Sequence, residues 1–334
     1  MSRLLRTLRK LLFAVFAIGV SFATPHTSFA DAELKEVARI KVGSEPIGID
    51  VASDGNVVVV SAAGRGVHVL DPRNYSELRR LDLSAHGRLS RVFVSKETGE
   101  VFVSASVNGE VLKLTPSASS VVSSLSTGGF PQGIAEKDGR LFVALTAGQA
   151  VSVIDRDEMV LLRTLDAGDR PSSIHIDHKA DRIYVIKSTT RSIWVFDAKT
   201  LTWTHNIADQ SFIRLSDLAQ APDGRLLLLD SAQDTLLIID ASTNTVVAHV
   251  PLLKDDCQQC RHVPMALAIS PDGRSAAVVG RGGWVSLVDL SSQSLVDARM
   301  SGQDYRGVAW SGNDRIFATS FGSGEVVVLE RRIP

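Results

Sequence analysis

VSVID at Val151–Asp155 is one of seven apolar runs that close on a polar residue, and their spacing decides the fold. The others are VHVLD (Val67–Asp71), VLKLT (Val111–Thr115), IWVFD (Ile193–Asp197), LLIID (Leu236–Asp240), VSLVD (Val285–Asp289) and VVVLE (Val326–Glu330). Their last residues fall at 71, 115, 155, 197, 240, 289 and 330, in steps of 44, 40, 42, 43, 49 and 41. A second marker keeps the same step: PIGIDV from Pro46, PQGIAE from Pro131, PSSIHI from Pro171, PMALAI from Pro264 and YRGVAW from Tyr305, with LSRVFV from Leu89 and LSDLAQ from Leu215 as looser copies. Between the two lies Asp-Gly at Asp54, Asp138, Asp223 and Asp272. Asp-Gly between apolar runs marks a hairpin, because the turn needs residues that tolerate positive φ.

Each repeat therefore holds four short strands, which is the period and strand count of a propeller blade. No segment sustains a 3.6-residue period, so a helical solenoid is disfavoured. The prediction is an all-β, seven-bladed β-propeller. Its seventh run, Val326–Glu330, lies four residues before Pro334, so the last blade lacks an outer strand. LKEVARIKV (Leu34–Val42) is a spare strand at the other end of the chain, and pairing it there would complete the blade and cover an open edge. The Asp ending each third strand is expected to bond backbone N–H groups of the following turn rather than a metal.

The first thirty residues read as a Sec-type signal peptide. Arg3, Arg6, Arg9 and Lys10 precede an apolar core, Leu11–Ala23, and Ser28-Phe29-Ala30 sets small residues where a signal peptidase reads. That core is shorter than the roughly 20 residues that span a bilayer; an uncleaved anchor is the competing reading. The expected organisation is a signal peptide over 1–30 and one propeller over 31–334, in the periplasm or secreted, with no membrane span after cleavage. No Cys follows the apolar core and no twin arginine precedes it, which argues against a lipoprotein and for export unfolded. Removing the four basic residues of the leader leaves 32 basic against 37 acidic residues, a net charge of −5. A nucleic-acid binder would normally be basic.

The VSVID-like runs, SPDGR at Ser270–Arg274, APDGR at Ala221–Arg225 and the Pro-x-Gly-Ile openings at Pro46 and Pro131 resemble the YVTN-type β-propeller repeat proteins over roughly residues 34–334. The resemblance implies a member of the YVTN/cytochrome-d1-like seven-bladed propellers, a group with secreted and surface-layer proteins. The related cytochrome-d1-type propellers hold a haem in the central funnel, and gluconolactone-type lactonases also have seven blades. Fold alone does not choose among these functions.

Strand order puts the d-to-a and b-to-c connections on one face, here the top, and the a-to-b and c-to-d turns on the other, the bottom. Arg88, Arg170 and Arg214 enter strand a of blades two, four and five, and Arg91, Arg261 and Arg306 lie close by. Guanidinium groups around a funnel suit carboxylate or phosphate; a solvated rim of local ion pairs is the alternative. Where inner strands crowd the axis the blades place Gly48, Gly133, Ser173, Ala266 and Gly307, but blades two and five place Arg91 and Asp217. That pair is either a salt-bridged plug or a polar site kept for a ligand. Arg88, Arg91, Arg170, Arg214, Asp217 and Arg306 are the candidate ligand residues.

The long step of 49 carries an insertion, Lys254 to His262, containing both cysteines. Cys257 and Cys260 are read as a disulfide pinning the loop, as a redox pair, or, with His262, as a soft-metal site. Arg261 breaks the C-x-x-C-H pattern of covalent haem attachment. His86, His262 and Tyr305 are candidates for an axial cofactor, Glu45, Asp217 and Asp304 for a lactonase metal, and His175 for a packed inter-blade residue. No Ser-His-Asp order, phosphate loop or paired-carboxylate signature stands out. The expected function is a monomeric scaffold binding an anionic small molecule or an acidic protein surface through its top face, with an axial-cofactor propeller or metal-dependent lactonase as the alternative.

Overall fold

The computed structural model describes residues 32–187, 190–254 and 259–332. Those residues form seven four-stranded antiparallel sheets, and six of them run a, b, c, d in chain order, while the seventh takes its outer strand from the start of the described chain. In blade one the strands are Pro46–Val51, Val57–Ser61, Gly66–Leu70 and Glu77–Asp82. Inner strands begin blades two to six at Leu89–Val94, Pro131–Lys137, Pro171–Asp177, Leu215–Gln220 and Pro264–Ile269, and blade seven at Tyr305–Ser311. Each inner strand packs on the next, and that of blade seven packs on that of blade one, so the ring is closed.

The weak alternation in the sequence has a direct cause. Val57–Ser61 and Gly66–Leu70 are buried at every residue, because both faces of a middle strand meet a neighbouring blade. The outer strand Glu77–Asp82 is exposed almost throughout. The described apolar residues form seven clusters, each shared between two adjacent blades. In every blade the pairing of the two outermost strands slips once, as between Val69 and Leu70 or between Val153 and Ile154. Such bulges sharpen the twist of a strand and make its free edge a poor template for further pairing.

Closure occurs as the sequence predicts. Glu33–Lys41 pairs antiparallel with Glu325–Arg332, from Glu33–Arg332 to Lys41–Glu325 across one bulge between Glu36 and Ala38, and occupies the outer position of blade seven. Blade six secures it further: the Leu34 N–H donates to Asp297 Oδ2 at 3.0 Å, and Arg299 Nη1 donates to the Leu34 carbonyl at 2.7 Å.

The terminal Asp residues act as expected. Asp197 Oδ1 accepts the N–H groups of Lys199 (2.8 Å) and Thr200 (2.7 Å), and Asp71, Asp155, Asp240 and Asp289 hold their turns in the same way. In blade two Thr115 Oγ1 takes this role, accepting the Ser119 N–H.

Candidate functional site

The inner strands enclose an axial cavity of about 510 Å³ lined by all seven blades. Its lining starts at the level of Arg91, Gly133, Ser173, Asp217, Ala266 and Gly307. From there it runs only toward the strand ends, reaching the bottom face at Lys96 and Pro271 in two a-to-b turns. No residue that precedes this level on any inner strand lines it. Of the six candidate ligand residues, Arg91 and Asp217 stand at its closed end, while Arg88, Arg170, Arg214 and Arg306 lie outside its lining. The cavity thus extends away from the arginine-rich top.

Small residues at the closed end follow from crowding. A Cβ on Gly48 would stand 2.9 Å from the Val92 nitrogen, one on Gly133 2.9 Å from the Ser172 carbonyl oxygen, and one on Gly307 2.5 Å from the Ile47 carbonyl oxygen. Asp217 is a staple between blades: Ser173 Oγ donates to Oδ1 at 2.8 Å and the Leu267 N–H to Oδ2 at 3.1 Å. Arg91 and Asp217 make no contact ion pair, so the salt-bridged plug is not formed. Arg91 influences Asp217 through space and otherwise makes one long side-chain hydrogen bond, Nη1 to the Arg306 carbonyl at 3.4 Å.

Asp50 repeats the staple lower in the channel. It accepts the Val51 and Val94 N–H groups, both at 2.7 Å, with Lys96 Nζ 3.7 Å away. Burial pushes the carboxyl groups of Asp50 and Asp217 upward, opposed by the nearby Lys96 and Arg91 respectively. Both acids are deep in the protein yet keep some surface open to the cavity. His175 lines the cavity as well as packing between blades, and burial pushes its imidazole down to about 4.

The top rim is largely self-paired. Arg88 meets Glu45 at 2.6 Å, Arg306 meets Asp304 at 2.7 Å, Arg281 lies 3.6 Å from Asp304, and Arg261 meets Asp234 at 2.7 Å. Arg170 and Arg214 are exposed, and among the described residues neither has an ion-pair partner. They stand at the same strand entry of successive blades, with exposed Arg191 in the adjoining b-to-c loop of blade four.

The candidates for an axial group are not on the cavity wall. His262 is fully buried, with neither ring nitrogen hydrogen-bonded, and burial holds it near 4. Tyr305 is fully buried and bonds Ser301 at 2.9 Å. His86 faces Glu110 at 3.0 Å. These three do not fit an axial ligand set; His175 is the one imidazole on the wall. Glu45 and Asp304 are engaged in rim ion pairs, and no cluster of three metal-ligating side chains occurs among the described residues. Cys257 lies outside the described residues, and with it the three readings of the cysteine pair. The sequence marked His175 only as a packed inter-blade residue, because its alternation with apolar neighbours reads as packing; its place on the wall shows only when the inner strands are assembled.

Comparison with known proteins agrees with the seven-bladed fold. The profile of the family described as Cytochrome D1 heme domain matches residues 256–333. The chain is similar to the cytochrome-d1-type propellers. Among solved structures, Kuenenia stuttgartiensis hydrazine synthase aligns with a TM-score of 0.76 at 17% identity, over 88% of this chain and 98% of that one. A streptogramin B lyase gives 0.77 at 12% identity, over 91% and 99%. Virginiamycin B lyase from Staphylococcus aureus gives 0.75 at 14% identity, over 90% and 99%. At these identities the likeness is one of fold. A search of curated protein sequences returns no match.

Proposed function

We propose that this protein is an exported, monomeric propeller that binds an anionic small molecule or an acidic protein surface through its top face. The observation that carries this reading is the pair Arg170 and Arg214, exposed at equivalent strand entries without ion-pair partners among the described residues. Unpaired guanidinium groups offer forked donors to carboxylate or phosphate. A disulfide between Cys257 and Cys260 belongs to the same reading, as a clamp on the blade-six entry loop. The direct test is titration of the mature protein with a poly-glutamate peptide and with inorganic phosphate at low salt. Exchanging both Arg170 and Arg214 for Ser weakens binding at least tenfold; equal affinity of the double variant overturns the reading.

The match to the Cytochrome D1 heme domain favours a second reading, a propeller that carries a cofactor on its axis. The positions of His86, His262 and Tyr305 count against it. Intact mass under native and denaturing conditions, taken on protein from its own exporting cell, separates the two. A monomer starting at Asp31, two hydrogens lighter than the reduced chain and without adduct, supports the binding scaffold. Added mass with a visible absorption band supports the cofactor.

A further inference from the structure

The axial cavity is a second site, independent of the top face. Its polar groups are unequally satisfied. Both oxygens of Asp217 are taken by Ser173 and Leu267, and both oxygens of Asp50 by backbone N–H groups. The Arg91 guanidinium is half-buried at the closed end and spends one donor on a long bond to the Arg306 carbonyl. Unfilled capacity at that end is therefore donor capacity on a cation, in a fork that fits a carboxylate.

The walls beyond it are mixed, with Asp50, His175 and Lys96 set among apolar residues. Phe93, Ala268, Ala309 and Trp310 line the space, and Ile134, Ile174, Leu218, Leu267 and Val308 border it from the buried seams between blades. A small hydrated anion would leave that surface wet, whereas an apolar body would cover it. The volume lies within the roughly 300–1,000 Å³ typical of small-molecule pockets. A side pocket of about 230 Å³ shares Phe93, Ile134 and Ile174 and extends the apolar wall between blades two, three and four.

We propose that the axial cavity binds an amphipathic monocarboxylate, with its head group on Arg91 at the closed end and its apolar body lying along the inner strands toward the bottom face. Entry is past Lys96 and Pro271, opposite the arginine rim.

The test uses the mature protein and three probes of equal chain length: octanoate, octanol and octylamine. Calorimetry is expected to give octanoate binding at least tenfold tighter than either of the others, with a change in Trp310 fluorescence that Trp310→Phe removes. Arg91→Gln abolishes the preference for octanoate over octanol, and Arg91→Lys restores part of it. Ala268→Phe, which fills the cavity, abolishes binding of all three; should it fail to fold, Ala309→Met takes its place. Octanoate that does not bind the folded wild type, or that binds equally well to Arg91→Gln and the filled variant, overturns the proposal. The Arg170/Arg214 double variant leaves octanoate binding unchanged, so failure here is distinct from failure of the top-face reading.

Discussion

Gly307 and His262 illustrate what single positions do in this ring. At Gly307 the inner strand of blade seven approaches the Ile47 carbonyl so closely that any side chain displaces blade one. Overpacking of this kind typically costs about 1–3 kcal/mol. Gly307→Val is expected to lower the urea midpoint accordingly; an unchanged midpoint would mean that the inner strands can part freely. His262 is buried without a hydrogen-bond partner, so it folds as the neutral imidazole. Its native value of about 4 lies below the ordinary 6.5. The unfolded chain therefore binds the proton first as pH falls, and the stability from this group is complete above pH 6.5 and lost toward pH 4. A shift of this size corresponds to something on the order of 3 kcal/mol. Thermal melts between pH 7 and 4.5 should show a clear fall for the wild type and a shallower one for His262→Leu. The Gly was legible in the sequence as the small residue of a repeated marker. The burial of His262 was not, because the sequence places it beside a cysteine insertion and only packing against Gly280 and Gly282 turns it inward.

At the scale of the element, the turn after the third strand of blades one to six is held by one side chain. Asp289 accepts from Ser291 and Ser292, at 2.7 and 2.9 Å, and is itself buried. Asp289→Ala leaves those N–H groups without this acceptor and is expected to cost about 1–2 kcal/mol. Asp289→Asn keeps an acceptor and should recover most of that loss in the same denaturation series. An Ala variant as stable as wild type would remove the turn from the list of stabilising devices. The strand runs and turns were legible because each is a local pattern repeated from blade to blade. The outer-strand bulges were not, since an extra residue such as Leu78 has no local signature and shows only when its strand is paired with the next.

For the whole molecule, stability depends on one long-range pairing. The strand Glu33–Lys41 fills the outer place of blade seven, buries Leu34 and Ile40, and is tied to blade six through Asp297 and Arg299. Deleting residues 31–43 uncovers two interfaces, those with blades one and six, and is expected to abolish the cooperative thermal transition. A truncated protein that melts like the full one would show that the ring closes without this strand. The same scale governs the site. Arg91 and Asp217 come from blades two and five and stand at one level of the channel only because seven inner strands converge on an axis.

The sequence by itself determined the blade count, the strand order and the closing strand, because periodic apolar runs and turn residues act over a few positions and their sum fixes the ring. It also singled out Arg91 and Asp217, as departures from a small-residue rule. Only the tertiary structure decided which way the axial cavity opens, which arginines are paired, and that Arg91 and Asp217 stand apart rather than in contact. Those properties depend on distances between residues of different blades. The repeat pattern constrains each blade alike and carries no information about how unlike side chains from separate blades divide the shared axis.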